Sequence, residues 1–363
     1  MDLRAVHGGD FFRAIGLDFR HLSRSGEVIS ADVLDAWFDP APRVIETLRE
    51  HLPFLVRTSP PTYAEGFVEA VAEARGLDAA TILPGAGSSS LIFACLPVLI
   101  DRGARVLVLD PMYGEYAHFA ASQLDANLVR HELAVGNGFA VDTDSLIRAT
   151  VELAPATVLL VNPNSPTGVH WPRQEFLRWL DGVPETTLVW VDETYVDYVG
   201  AGESLETETA RRRNLIVLKS MSKAYALSGL RVAYLVAPAP LYHRLALRVP
   251  PWPVGLAAQV AAVEALRDSE YYAARYQETH RLRQEVSLRL SAIPGLRVHA
   301  SQANFYLAEM ARARETAARL RERSIFVKEF DDSTKALSSH HLRISVKDRE
   351  QNARIAEALE QFL

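Results

Sequence analysis

Lys223 lies between hydroxyl residues in Ser220-Met221-Ser222-Lys223-Ala224-Tyr225-Ala226-Leu227-Ser228-Gly229-Leu230-Arg231. The apolar run Leu215-Ile216-Val217-Leu218 before it reads as a buried strand, and Val232–Val236 after it as another. Lysine ordinarily sits on wet surfaces, so one placed at the end of a buried strand asks for a chemical reason. The hydroxyls of Ser220 and Ser222 and the guanidinium of Arg231 make a cradle suited to a phosphate dianion. Lys223 can bond covalently to an aldehyde carried by the same phosphorylated molecule. Pyridoxal 5′-phosphate held as a Schiff base fits that description. A surface turn with an incidental lysine is the other reading.

Such a cofactor makes further demands. Its pyridine nitrogen needs a carboxylate, so that the ring can accept electrons from the substrate α-carbon. Asp192 is the candidate, although a strand-end aspartate can also cap a turn. The ring needs a face to stack on, and Tyr113 can supply it. The phenolate O3′ needs donors, for which Asn164 and Tyr195 stand, with Ser165 as a substitute. Gly87 and Ser88 open a helix whose free N–H groups would join Ser220, Ser222 and Arg231 on the phosphate. Ordinary capping by Ser88 is the alternative there. Displaced from the aldehyde by an amino acid, Lys223 can move the α-proton as a general base. Arg343, in a later strand, can present a fork to the substrate carboxylate, or it can be a plain surface arginine.

The elements that position these residues alternate. Arg105–Asp110, Thr157–Val161, Thr187–Val191 and the run before Ser220 are apolar strands bounded by turns, with helical patterns between them. Continuous apolar runs predict strands buried on both faces of a mostly parallel sheet. Tyr113, Asn164, Asp192, Ser220 and Lys223 all follow strand ends, where open α/β sheets bind ligands. The expected fold is α/β: a large domain with a mostly parallel sheet flanked by helices, plus a smaller α+β lobe. Residues 1–40 read as an arm and part of that lobe, 41–248 as the large domain, and 249–363 as the small C-terminal domain. Val249–Val254 reads as a rigid linker, with one long helical region from Ala257 through Leu290 after it.

Composition narrows the partners. The chain has 363 residues, a formal charge of -6 and no long basic run, so nucleic acid and anionic membrane surfaces are not expected. The single Cys95, inside an apolar run, cannot form an internal disulfide and fits a reducing compartment. No apolar run approaches the roughly 20 residues that span a bilayer. The expected setting is cytoplasmic, and no metal is expected.

The chain resembles fold-type I pyridoxal-phosphate enzymes of the class I/II aminotransferase superfamily. Within that group it is similar to histidinol-phosphate aminotransferases and threonine-phosphate decarboxylases. The likeness is carried by Gly85–Ser88, Pro111-Met112-Tyr113, Asn162–Gly168, Asp192-Glu193-Thr194-Tyr195, Ser220–Arg231, Asn304-Phe305 and Leu342-Arg343-Ile344. His7-Gly8-Gly9 and Pro251-Trp252-Pro253-Val254 resemble the decarboxylase branch. The resemblance implies an aminotransferase taking a small-molecule amino donor and a 2-oxo acid acceptor. It also implies a homodimer with its active site at the subunit interface. Catalytic roles fall to Lys223, Asp192 and Tyr195, and the substrate side to Arg343, Asn304, His7 and Asp32. The alternative is a decarboxylase, or an enzyme of elimination, replacement or carbon–carbon bond formation.

Departures from the family pattern cluster on the substrate side. Asp32 stands near an expected asparagine, Thr58-Ser59 where a tyrosine reaches the neighbouring subunit, Gly255 after Pro-Trp-Pro-Val, and Ser165 before Pro-Thr-Gly. Asp10, Asp32, Asp35 and Asp39 populate segments expected near the pocket, where they would repel a substrate phosphate. The donor expected from these residues is a larger or cationic amino acid.

Overall fold

The structure is a computed structural model and describes residues 8–330 and 337–363. Twelve strands are present among the described residues: β1 (Ile29–Ala31), β2 (Ile82–Gly85), β3 (Arg105–Asp110), β4 (Asn127–Glu132), β5 (Thr157–Val161), β6 (Leu188–Asp192), β7 (Leu215–Ser220), β8 (Ala233–Val236), β9 (Leu296–Val298), β10 (Phe305–Met310), β11 (Ile325–Glu329) and β12 (His341–Ser345). They form two sheets. The larger has seven strands in the order β2-β8-β7-β6-β5-β3-β4, and the smaller five in the order β1-β11-β12-β10-β9.

The apolar runs explain the large sheet. Every residue of β5 and of β7 is buried, as continuous hydrophobic strands covered by helices on both faces require. Neighbours β4, β3, β5, β6 and β7 run parallel; at one edge β8 pairs antiparallel with β7, and β2 pairs antiparallel with β8. Register then sets the chemistry. Asp192 stands opposite Val161 on one side and Leu218 on the other. The segments leaving β5, β6 and β7 therefore emerge side by side at the carboxyl edge of the sheet. The helix Ser88–Leu99 packs its apolar residues onto this core. Each fully buried large side chain there contributes about 1.5–3 kcal/mol. Cys95 belongs to the same core, and burial pushes its thiol up to about 12, which makes it inert packing.

The smaller sheet uses both ends of the chain. β1 pairs parallel with β11, Ile29 opposite Ile325. Both strands escape a reading of apolar periodicity, β1 because it is three residues long. β4 escapes it for another reason: it is a half-exposed edge strand with the sequence Asn-Leu-Val-Arg-His-Glu. The long helix expected from Ala257 to Leu290 is two helices, Leu256–Leu266 and Ser269–Ser291. Asp268 divides them by accepting from the Tyr271 N–H as an N-cap. The first of the two shares a core with Val44, Phe67 and Tyr234. Phe139, a buried residue before β5, lies 5.0 Å from the His299 ring and 6.4 Å from that of His341, joining the two sheets' cores.

Candidate active site

The short helix Met221–Ala224 carries Lys223 off the end of β7. Ser220 caps it by accepting from the Ser222 N–H at 3.3 Å. Its last carbonyls have no helical partner, and tyrosine hydroxyls take them: Tyr198 donates to Lys223 O at 2.9 Å, Tyr276 to Ala224 O at 3.1 Å and Tyr272 to Tyr225 O at 3.3 Å. These bonds fix the backbone that aims Lys223 into a pocket at the carboxyl edge of the sheet. Ser88, Ser89, Tyr113, Ser165, Asp192, Tyr195, Ser220, Ser222, Arg231 and Arg343 line that pocket with it.

One end of the pocket is built for an anion. Gly87 begins the helix Ser88–Leu99 with φ +83° and no side-chain cap. Ser88 is therefore the first helical residue and not its cap, which leaves the first N–H groups for a ligand. Arg231 Nη1 donates to Ser222 Oγ at 3.2 Å and to Ser228 O at 3.0 Å. A Cβ on Gly87 would lie 2.9 Å from Arg231 Cζ, so the guanidinium and the helix start face each other across a gap that only glycine permits.

Asp192 presents a buried, hydrogen-bonded carboxylate to the same pocket. Asp192 Oδ2 accepts from Tyr116 OH at 2.9 Å, and Oδ1 from Thr194 N and Thr194 Oγ1 at 2.9 and 2.5 Å. Trp190 Nε1 donates in turn to Tyr116 OH at 2.9 Å. Burial raises the Asp192 carboxyl and these hydrogen bonds oppose it, so a cation at the site would complete its stabilisation. Tyr113 stands beside it as a neutral ring, pushed up to about 12 by burial and by the charges of Glu115 and Asp192. Asn164 donates from Nδ2 to Pro111 O at 2.9 Å, while its Oδ1 is buried without a partner. Tyr195 packs edge-on to Phe305 at 5.1 Å, and burial raises its phenol.

Arg343 reaches the pocket from β12. Nη1 donates to Ser165 Oγ at 3.1 Å and Nη2 to Asp32 O at 2.8 Å, while Nε is buried with no partner. Phe305 lies under the guanidinium at 5.7 Å. Burial lowers the pKa of the group, and an incoming carboxylate would offset that cost. Asp32 lies on the pocket wall, yet its carboxylate also ties down the arm, accepting from Gly9 N at 2.6 Å and Ser30 Oγ at 3.3 Å. Asn304 stands behind the wall, donating to Leu34 O at 2.9 Å. His7 lies outside the described residues. Asp10 and Asp39 are exposed and do not line the pocket.

The sequence matches the aminotransferase class I and II family over residues 32–359. This chain belongs to that family. A histidinol-phosphate aminotransferase from Ruminiclostridium cellulolyticum is 28% identical over 334 residues, 91% of each chain. Histidinol-phosphate aminotransferase 2 from Archaeoglobus fulgidus is 30% identical over 337 residues, 93% of each. Among solved structures, histidinol-phosphate aminotransferase from Sinorhizobium meliloti in complex with pyridoxal-5′-phosphate superposes with a TM-score of 0.85 at 23% identity, covering 99% of this chain and 95% of that one. L-threonine-O-3-phosphate decarboxylase from Porphyromonas gingivalis gives 0.77 at 24% identity, covering 90% and 97%. These two likenesses establish the fold, the large sheet and lobe of fold-type I enzymes.

The aminotransferase is thus a pyridoxal-phosphate-dependent transferase, and transamination is favoured over decarboxylation. The residues present fit the cofactor. The uncapped helix start opposite Arg231 and the buried Asp192 carboxylate both meet one cavity, and the Asn164 oxygen, next in sequence to the wall residue Ser165, is buried without a partner. Three contacts had no sequence signal strong enough to find them. Tyr116 and Thr194 hold Asp192, and Asp35 Oδ1 holds Lys223 Nζ at 2.8 Å. Asp35 is visible in sequence only as one of several N-terminal aspartates.

Proposed function

We propose that this aminotransferase moves the amino group of an amino acid to a 2-oxo acid, with Lys223 as covalent anchor and proton carrier. The observation that carries the reading is the convergence of Lys223, Arg231 and Arg343 on one pocket. In this reading Gly87, Ser88, Ser220, Ser222 and Arg231 hold the cofactor phosphate, and Asp192 holds the proton on its ring nitrogen. Tyr113 covers the ring, and Asn164 and Tyr195 attend O3′, with Ser165 beside them. Bound there, pyridoxal phosphate supplies an aldehyde for the amino group and a ring that draws electrons from the α-carbon. Burial holds Lys223 below the usual lysine range against the pull of Asp35, which favours a free amine able to take the α-proton. Arg343 fixes the α-carboxylate with its fork.

The donor is read as an amino acid with a bulky or cationic side chain. Among the described residues the cations on the pocket wall are Lys223, Arg231 and Arg343, each with a role already, and Asp32 adds a carboxylate there. A substrate phosphate would meet that charge. The names of the relatives support histidinol phosphate as the competing donor. Steady-state kinetics with a panel of amino acids, histidinol phosphate and threonine phosphate decides between them. Turnover of either phosphate at kcat/KM on the order of 10⁴ M⁻¹s⁻¹ or above would overturn the amino-acid reading.

The working division proposed is an arm at 1–40, a cofactor domain at 41–248 and a small domain at 249–363. A homodimer in the cytoplasm is proposed with it. Leu52, Phe54, Val56, Tyr63 and Trp252 are each more than half exposed. Trp252 N donates to Thr62 O at 2.7 Å, which joins the two loops of this surface. Apolar exposure of that extent suits a subunit contact. Light scattering should give twice the monomer mass at micromolar concentration; a fully active monomer would contradict it. No helix among the described residues is long and apolar enough to cross a membrane.

A further inference from the structure

Lys223 Nζ donates to two acceptors from one turn of the N-terminal segment. Asp35 Oδ1 lies at 2.8 Å and the Val33 carbonyl at 2.7 Å. Leu34, between them, has φ +62°, a conformation that a leucine rarely adopts. That bend brings a backbone carbonyl and a carboxylate onto the same ammonium. The bend is held in place by its surroundings. Leu34 is 2% exposed among Tyr195, Ala303 and Phe305, and its carbonyl accepts from Asn304 Nδ2 at 2.9 Å. A disfavoured turn kept this firmly beside the reactive lysine points to a use.

Asp35 does not line the pocket wall. It approaches Nζ from the rim, with its side chain 41% exposed. A carboxylate in that place is aimed at the lysine and not at the substrate. We propose that Asp35, together with the Val33 carbonyl, is the holder of Lys223 whenever Nζ is not bonded to the cofactor, which makes Asp35 a positioning residue. The inference rests on the reading of Lys223 as the cofactor's lysine.

Charge explains why such a holder is needed. Burial works against the Lys223 ammonium, and the guanidinium groups of Arg343 and Arg231 add to that pressure. Among the described residues, Asp35 is the carboxylate that opposes them through a direct bond to Nζ. Asp35 in turn faces Lys223, Ser228 and Lys347. Burial, the largest single influence, works to raise its carboxyl, but Lys223, Ser228 and Lys347 together leave it below the usual carboxylate range. The carboxylate thus stays charged at neutral pH and gives the free lysine one defined position from which to move a proton.

The test measures Lys223 itself, in the full-length protein freed of cofactor. Acetic anhydride labelling across a pH series, followed by peptide mass analysis, gives the apparent pKa of that amine. Asp35→Asn keeps the shape and removes the charge, and should lower the value by about one unit or more. Asp35→Glu restores the charge and should recover most of the shift. An unchanged value in the Asn protein, or an equal fall in the Glu protein, overturns the proposal. Borohydride reduction of the loaded native protein runs alongside. A label on Lys223 there, with no shift in the Asn protein, sinks the holder alone. A label elsewhere sinks the cofactor reading.

Discussion

Gly87 and Arg231 face each other so closely that a Cβ on Gly87 would lie 2.9 Å from Arg231 Cζ. Gly87 also has φ +83°, which side chains of L-residues rarely adopt. Gly87→Ala should therefore displace the guanidinium and strain the helix start together. Loss of one charge-assisted hydrogen bond costs about 1.5–3 kcal/mol, so pyridoxal phosphate should bind about ten- to a hundredfold more weakly. Equilibrium dialysis of the variant checks it, and unaltered affinity would remove Gly87 from the site.

Arg343→Ala should keep the cofactor and lose the donor. Its partners Ser165 and Asp32 O belong to residues of the pocket wall, and its Nε is buried without a partner. A bidentate guanidinium–carboxylate contact is worth about 1.5–3 kcal/mol, so KM for the amino donor should rise about ten- to over a hundredfold. Arg343→Lys should not repair this, because an ammonium cannot match the fork. Unchanged KM would leave Arg343 a strand residue that props Ser165 and Asp32.

Most of the end of this site proposed for the cofactor is legible in the sequence, for a physical reason. Strands buried on both faces are continuous apolar runs, so their ends, and with them Tyr113, Asn164, Asp192, Ser220 and Lys223, can be placed by eye. The substrate end was less legible because it is assembled by distant contacts. Asn304 Nδ2 reaches Leu34 O across 270 residues, and Arg343 Nη2 reaches Asp32 O across 311. Nothing local in Asp35 distinguishes it from Asp39, yet one bonds Lys223 and the other is exposed. The strand β1 is illegible for a related reason, since it is three residues long and gains its place by pairing with the distant β11.

A buried charge cluster beneath the site should tie stability to pH. Lys219 Nζ lies 3.2 Å from Asp197, 3.8 Å from Glu193 and 3.8 Å from Glu206. Burial raises Glu193 from its ordinary 4.5 to about 7, against the pull of Lys219. The folded chain thus holds this proton more tightly than the unfolded chain. The stabilisation is present in full below about 4.5 and is lost as pH rises through about 7. Its size is on the order of 3 kcal/mol. Glu193→Gln should remove that slope. The check is the difference between native and variant urea-unfolding free energies from pH 4.5 to 7, because the other titrating groups are common to both proteins and cancel in it. A constant difference would contradict the shift.

The most direct measurement concerns which lysine carries the cofactor. Lys219 and Lys223 are four residues apart and both face carboxylates, but Lys219 is 2% exposed and locked among Glu193, Asp197 and Glu206. Lys223 opens onto the pocket that holds Arg231, Asp192 and Arg343. The protein loaded with pyridoxal phosphate should be reduced with borohydride, digested and mapped by mass. One pyridoxyl group on Lys223, abolished in Lys223→Ala, is the expected result. A label on Lys219, or a colourless protein with no label, would contradict the site described above.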